Sequence, residues 1–141
     1  MTRAVPVWGT QLSLGASALA QAPEAPVVLI ESEQLCRRRK YHQQKLVLVL
    51  AAMRGFADDL RAVGRVVVHV PLEQALPSYW DELGARCDAL SVTELVAMRT
   101  ADRAPTEIIE RWCAARALAL DAPPNPQFLT SAADCALWAL Y

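Results

Sequence analysis

The sequence predicts an α/β chain built as a Rossmann-like, doubly wound and mainly parallel sheet of about five strands, with helices on both faces. Short apolar runs alternate with longer segments of helical period. Those runs are continuous in polarity, as suits parallel strands covered on both faces. The chain has 141 residues and is 54% hydrophobic, enough for one ordinary packed domain without staples.

Val5-Pro6-Val7-Trp8 reads as the start of a first strand. Val27-Val28-Leu29-Ile30 follows Pro26 and ends at Glu31, a clear buried strand. Val66-Val67-Val68-His69-Val70 is the third, opened by Gly64 and closed by Pro71. Ala89-Leu90-Ser91-Val92 reads as the fourth and Ala117-Leu118-Ala119-Leu120 as a weaker fifth. The runs 27–30, 66–70 and 89–92 are expected as neighbouring core strands.

The strongest helix is predicted over 40–63, where Leu46, Val49, Leu50, Met53, Phe56, Ala57, Leu60 and Val63 recur at steps of three and four. Gly64 stands where a C-cap glycine belongs. Another helix is predicted through Leu72–Leu83, and a third from Pro105-Thr106 through Ile108, Ile109 and Trp112. Pro123-Pro124-Asn125-Pro126 then breaks the chain, so 1–126 reads as the α/β domain. Residues 127–141 read as a short segment leading out of it, with Ser131–Leu140 helical.

A net charge of -1 gives no overall pull toward nucleic acid or anionic membrane. The cysteines at 36, 87, 113 and 135 form no CxxC pair and read as reduced thiols of a cytoplasmic protein. Pro6, Pro23 and Pro26 interrupt the first thirty residues, so neither a signal peptide nor a membrane span is read there.

In such sheets ligands bind beyond the carboxyl ends of the strands, which are read here as Trp8-Gly9-Thr10-Gln11, Glu31-Ser32-Glu33, Pro71 and Thr93-Glu94. Gly9 permits a positive φ or a close backbone approach to a ligand, and equally an ordinary strand-to-helix turn. GxGxxG is absent. Glu31 is placed to accept hydrogen bonds from ribose or ribityl hydroxyls; Ser32 as a helix N-cap with a solvated Glu31 is an equal reading. The run Arg37-Arg38-Arg39-Lys40-Tyr41-His42-Gln43-Gln44-Lys45 reads either as a phosphate- or heterocycle-gripping helix start or as a solvated face. Cations there oppose the helix dipole. His42 beside the cleft is the better functional histidine, and His69 among valines reads as a satisfied core or edge residue.

The stretch from Val28-Leu29-Ile30-Glu31-Ser32 through Arg38-Arg39-Lys40-Tyr41-His42-Gln43-Gln44-Lys45-Leu46 to Ala51-Ala52-Met53-Arg54-Gly55-Phe56-Ala57-Asp58-Asp59-Leu60 resembles the photolyase-related family, the prokaryotic cryptochrome/photolyase group. Gly9-Thr10-Gln11-Leu12 is similar to its opening Gly-Asp-Gln-Leu, with Thr10 in place of the aspartate. Val92-Thr93-Glu94 with Arg99 is similar to its Val-x-Glu-Pro-x-Glu-aromatic-Arg phrase, with Leu95, Ala97 and Met98 at the departing positions. Phe128-Leu129-Thr130-Ser131 with Trp138 is similar to the phrase that leads out of the domain. The resemblance implies an N-terminal domain that binds an antenna chromophore, 6,7-dimethyl-8-ribityllumazine or a similar compound. The residues it implies as contacts are Gly9, Thr10, Gln11, Glu31, Ser32, Tyr41, His42 and Lys45. It implies that FAD, an iron–sulfur cluster and the DNA-repair chemistry belong to a helical domain outside this chain. The expected partner is then a flavin-bearing photolyase subunit or domain, with no direct nucleic-acid or membrane contact. An interaction module with a degenerate ligand site is the other reading.

Overall fold

The computed structural model describes residues 1–139, apart from the side chain of Ala132. The element order is β1 (Arg3–Val7), α1 (Ser17–Gln21), β2 (Val27–Ile30), α2 (Glu33–Arg37), α3 (Gln43–Ala62), β3 (Val67–Val70), α4 (Tyr79–Ala89), β4 (Glu94–Val96), α5 (Arg103–Ala115), β5 (Ala119–Asp121) and α6 (Ala132–Trp138). The sheet has five strands in the order β3-β2-β1-β4-β5, and every pairing is parallel. The expected doubly wound α/β architecture is therefore present. Leu140 and Tyr141, the reach of the last predicted helix, lie outside the described residues.

The continuous apolar runs divide between two cores because successive strand side chains point to opposite faces. Val27 and Leu29 join Val5 and Val7 against Leu19 of α1 and Met53, Phe56, Ala57 and Leu60 of α3. Val28 and Ile30 join Ala4 and Leu95 against Tyr79, Leu83 and Cys87 of α4 and Ile109 and Cys113 of α5. A polar residue at any of the central strand positions would enter one core or the other.

Two strands stand elsewhere than the sequence reading placed them. Residues 89–92 are no strand but the exit of α4: Ser91 has φ 52°, its N–H bonds to the Asp88 carbonyl, and the Val92 N–H reaches back to Cys87. The strand itself is Glu94–Val96, and it lies beside β1 and not beside β2 or β3. Residue 117 repeats the geometry. Ala117 has φ 54°, its N–H meets Ala114 and the Leu118 N–H meets Cys113, so β5 begins at Ala119. Both are Schellman exits with a non-glycine at the left-handed position.

The helix predicted over 72–83 begins later, at Tyr79. Ser78 caps it, its hydroxyl accepting the Asp81 N–H at 3.3 Å, and Asp81 and Glu82 favour the positive end of the helix dipole. The helix predicted over 40–63 begins at Gln43. The sequence reading did not include the short helices α1 and α2.

Candidate functional site

The strand order reverses between β1 and β4, which defines the crevice where such folds place ligands. The carboxyl ends of β1 and β2 are neighbours, so Gly9-Thr10-Gln11 and Glu31-Ser32 share one edge of the sheet. Helix α3 returns antiparallel to the strands, and Val49 in its first half approaches Gly9, which brings Tyr41, His42 and Lys45 to the same end. Thr93-Glu94 belongs to the opposite edge. With β4 starting at Glu94, this pair opens the strand, and Glu94 is ion-paired there with Arg3. The carboxyl end of β4 is instead Ala97-Met98-Arg99.

Glu31 is fully buried and completely engaged. Arg54 of α3 donates to both of its oxygens at 2.8 Å, His69 Nε2 donates to Oε1 at 2.9 Å and the Leu72 N–H to Oε2 at 3.0 Å. These four bonds use the four lone-pair directions of a carboxylate. Burial pushes the carboxyl pKa up, but the Arg54, Leu72 and His69 hydrogen bonds and the Arg54 charge together hold it below its ordinary value. Glu31 thus ties β2, β3, α3 and the loop after β3 into one node. A ligand hydroxyl reaches it only by displacing one of these donors. Arg54 and His69, absent from the sequence-derived site, are what the carboxylate recognises; a buried acid at a strand end, in a chain with arginine one helix away, was the available signal.

Gly9 does not use the left-handed region. Its role is close approach, because a Cβ built there meets Val49 Cγ1 at 2.8 Å. Thr10 is exposed, and its carbonyl accepts from Gln127 Nε2 at 3.3 Å. Gln11 is buried and donates from Nε2 to the Met98 carbonyl at 3.1 Å, linking the ends of β1 and β4 across the crevice. Its carboxamide oxygen has no hydrogen-bond partner among the described residues, and it is not one of the fully buried unpaired atoms. Buried Ser32 caps α2, its hydroxyl oxygen accepting the Leu35 N–H at 3.3 Å, which leaves the hydroxyl hydrogen free among the described residues.

The basic run does not begin α3. Arg37 closes α2, where a cation suits the negative end of the dipole, and it pairs with Glu33 at 2.7 Å. Arg38, Arg39 and Lys40 occupy the exposed connector. His42 is the N-cap of α3, its Nδ1 accepting the Gln44 N–H at 3.2 Å. Lys45 stands 4.8 Å above the half-buried Tyr41 ring. His69 is, as read, a satisfied histidine at the sheet edge.

A family model described as deoxyribodipyrimidine photo-lyase-related protein matches residues 5–140. The chain belongs to this photolyase-related family. No curated protein matches it significantly. The family resemblance is carried most specifically by Ala52-Met53-Arg54-Gly55-Phe56-Ala57, and the structure gives that phrase a physical content: Met53, Phe56 and Ala57 enter the core while Arg54 turns to Glu31. At the departing positions Leu95, Ala97 and Met98 are all buried apolar residues. Among the described residues no cluster of metal-binding side chains occurs, and no helix is long and apolar enough to cross a membrane. The four cysteines are free. Burial pushes the Cys87 and Cys113 thiols up to about 11 each, which makes them inert core residues.

Proposed function

We propose that this chain is the antenna-binding α/β domain of a photolyase-related protein, taking a ribityl-lumazine such as 6,7-dimethyl-8-ribityllumazine at the carboxyl edge of β1 and β2. The observation that carries the reading is a pair of buried polar side chains on adjoining strand ends. Gln11 keeps a carboxamide oxygen, and Ser32 a hydroxyl hydrogen, that the described fold does not use. An acceptor and a donor on the same edge of the sheet suit a polyhydroxyl chain. Gly9 and Thr10 would form one wall through their backbone, and Tyr41 with His42 and Lys45 the other, offering a ring face and cations. Glu31 supports the wall from behind by fixing the ends of β2 and β3.

A bound lumazine supplies near-ultraviolet or blue absorption. FAD and an iron–sulfur cluster belong, on this reading, to a separate flavin-bearing domain or subunit, which is the partner. The chain by itself then performs no light-driven DNA repair, and illumination of the purified protein with thymine dimers should restore none. The competing reading, an interaction module with a degenerate site, is favoured by the exposed Thr10 where the family has aspartate and by the saturated Glu31.

Titration of the purified protein with ribityl-lumazine, followed by fluorescence polarisation, tests the choice. Saturable binding, strengthened about tenfold in Thr10→Asp by one added charged hydrogen bond, is the expected result. If neither the natural protein nor Thr10→Asp binds, the antenna reading fails and the interaction module replaces it.

A further inference from the structure

Helix α3 carries a glycine that the single chain does not explain. Gly55 lies mid-helix, where glycine weakens a helix relative to alanine, and a Cβ built there meets nothing within 4 Å. It belongs to an outward stripe of Gln44, Leu48, Ala51, Gly55, Asp58 and Ala62, all exposed and spaced alternately by four and three residues. At that spacing Leu48, Ala51, Gly55 and Ala62 give the apolar and small side chains that a close helix–helix seam uses, with Gln44 and Asp58 toward its ends. Leu48 is 69% exposed and Val47 beside it 62%.

We infer that α3 packs antiparallel against α3 of a second copy of this chain, about a two-fold axis near Ala52. In that arrangement Leu48 of each copy enters the space over the partner copy's glycine, and Ala51 and Ala52 let the backbones approach. The charges choose this occupant and this direction. Lys45 and Asp59 stand on one flank of the stripe, about two turns either side of Ala52. Neither has an ion-pair partner among the described residues; Lys45 lies over Tyr41, and Arg61 pairs with Asp58. An antiparallel copy sets lysine against aspartate twice, whereas a parallel copy carries the two equivalent flanks to opposite sides of the seam and forms neither pair. The pairing uses the outer face of α3 and none of the strand-end groups; it shares only Lys45 with the proposed ligand wall, and sedimentation of the ligand-free protein reads the two apart.

A single helix pair buries less than the roughly 800 Å² per partner of a standard interface, so the expected Kd is about 10–100 μM. Sedimentation velocity from about 5 to 500 μM reads it. Gly55→Gln fills the open space with a solvated helix former. It should raise the Tm of the dilute monomer by about 3–5 °C yet weaken dimerisation about tenfold or more. Lys45→Glu and Asp59→Lys should each weaken the dimer, and the double exchange should restore it. A protein that stays monomeric throughout overturns the inference. So does association that persists unchanged in Gly55→Gln, or a double exchange that restores nothing.

Discussion

Two corners of the same sheet edge, some strands apart, solve opposite problems. At the ends of β2 and β3 a buried carboxylate is surrounded by four donors and closed. At the ends of β1 and β4 a buried carboxamide makes one bond, to Met98, and keeps its oxygen free among the described residues. The first corner is charged and holds the fold; the second is neutral and leaves one acceptor unused among the described residues. A strand-end acid is therefore a poor guide to a binding site unless its partners are known.

The largest consequence of this difference concerns Glu31. Glu31→Ala leaves the Leu72 N–H, the His69 ring and the Arg54 head group facing a void in place of a carboxylate, so stability should fall by about 3–5 kcal/mol in chemical denaturation. Glu31→Gln keeps the shape and should cost less, about 1.5–3 kcal/mol. The charge also sets a pH dependence. Because the folded pKa lies below the ordinary 4.5, the unfolded chain binds the proton first, and the contribution of Glu31 is complete above that value. It is lost as the pH falls below 4.5 and through the folded pKa. Denaturation profiles across that range should be flatter in Glu31→Gln than in the natural protein; equal slopes would mean that Glu31 does not hold the corner.

A smaller effect is expected at the neutral corner's rim. Gly9→Ala places a methyl 2.8 Å from Val49 Cγ1, so α3 must move or Val49 must turn. Overpacking of this kind costs about 1–3 kcal/mol, and a shift of the denaturation midpoint measures it. An unchanged midpoint would show that α3 is free to move away from β1.

The two corners also differ in how far the sequence discloses them. Sheet class and the strands β1, β2 and β3 follow from apolar runs alone, and Gly64 marked the end of α3 correctly. Its exit is a Schellman turn, with Gly64 at φ 82° and the Arg65 N–H returning to Leu60. The exits of α4 and α5 have the same hydrogen bonds but put Ser91 and Ala117 in that position. Without a glycine the turn has no signature, and Leu90-Ser91-Val92 passes for a strand. Of the site, the sequence identifies the carboxyl ends of β1 and β2 but misplaces that of β4, and it does not disclose the partners of Glu31. Arg54 lies twenty-three residues from Glu31 and His69 thirty-eight, separations over which no local periodicity operates.

The mildest change should be the most informative about function. Gln11→Leu has nearly the same volume and removes both the bond to Met98 and the free oxygen. The Met98 carbonyl loses one neutral partner, so the stability cost should be only about 1 kcal/mol, well under that of Glu31→Ala. Ribityl-lumazine binding should respond far more strongly. A ligand hydroxyl that had donated to the carboxamide would face a methyl group, and a buried donor left unsatisfied costs about 1–3 kcal/mol, which is roughly five- to a hundredfold in Kd. Binding and stability measured on the same variant separate the roles of the two corners. Glu31→Gln should disturb stability more than affinity, and Gln11→Leu affinity more than stability. If the order is reversed, the ligand sits at the ends of β2 and β3, and Glu31 must exchange one of its internal donors for it.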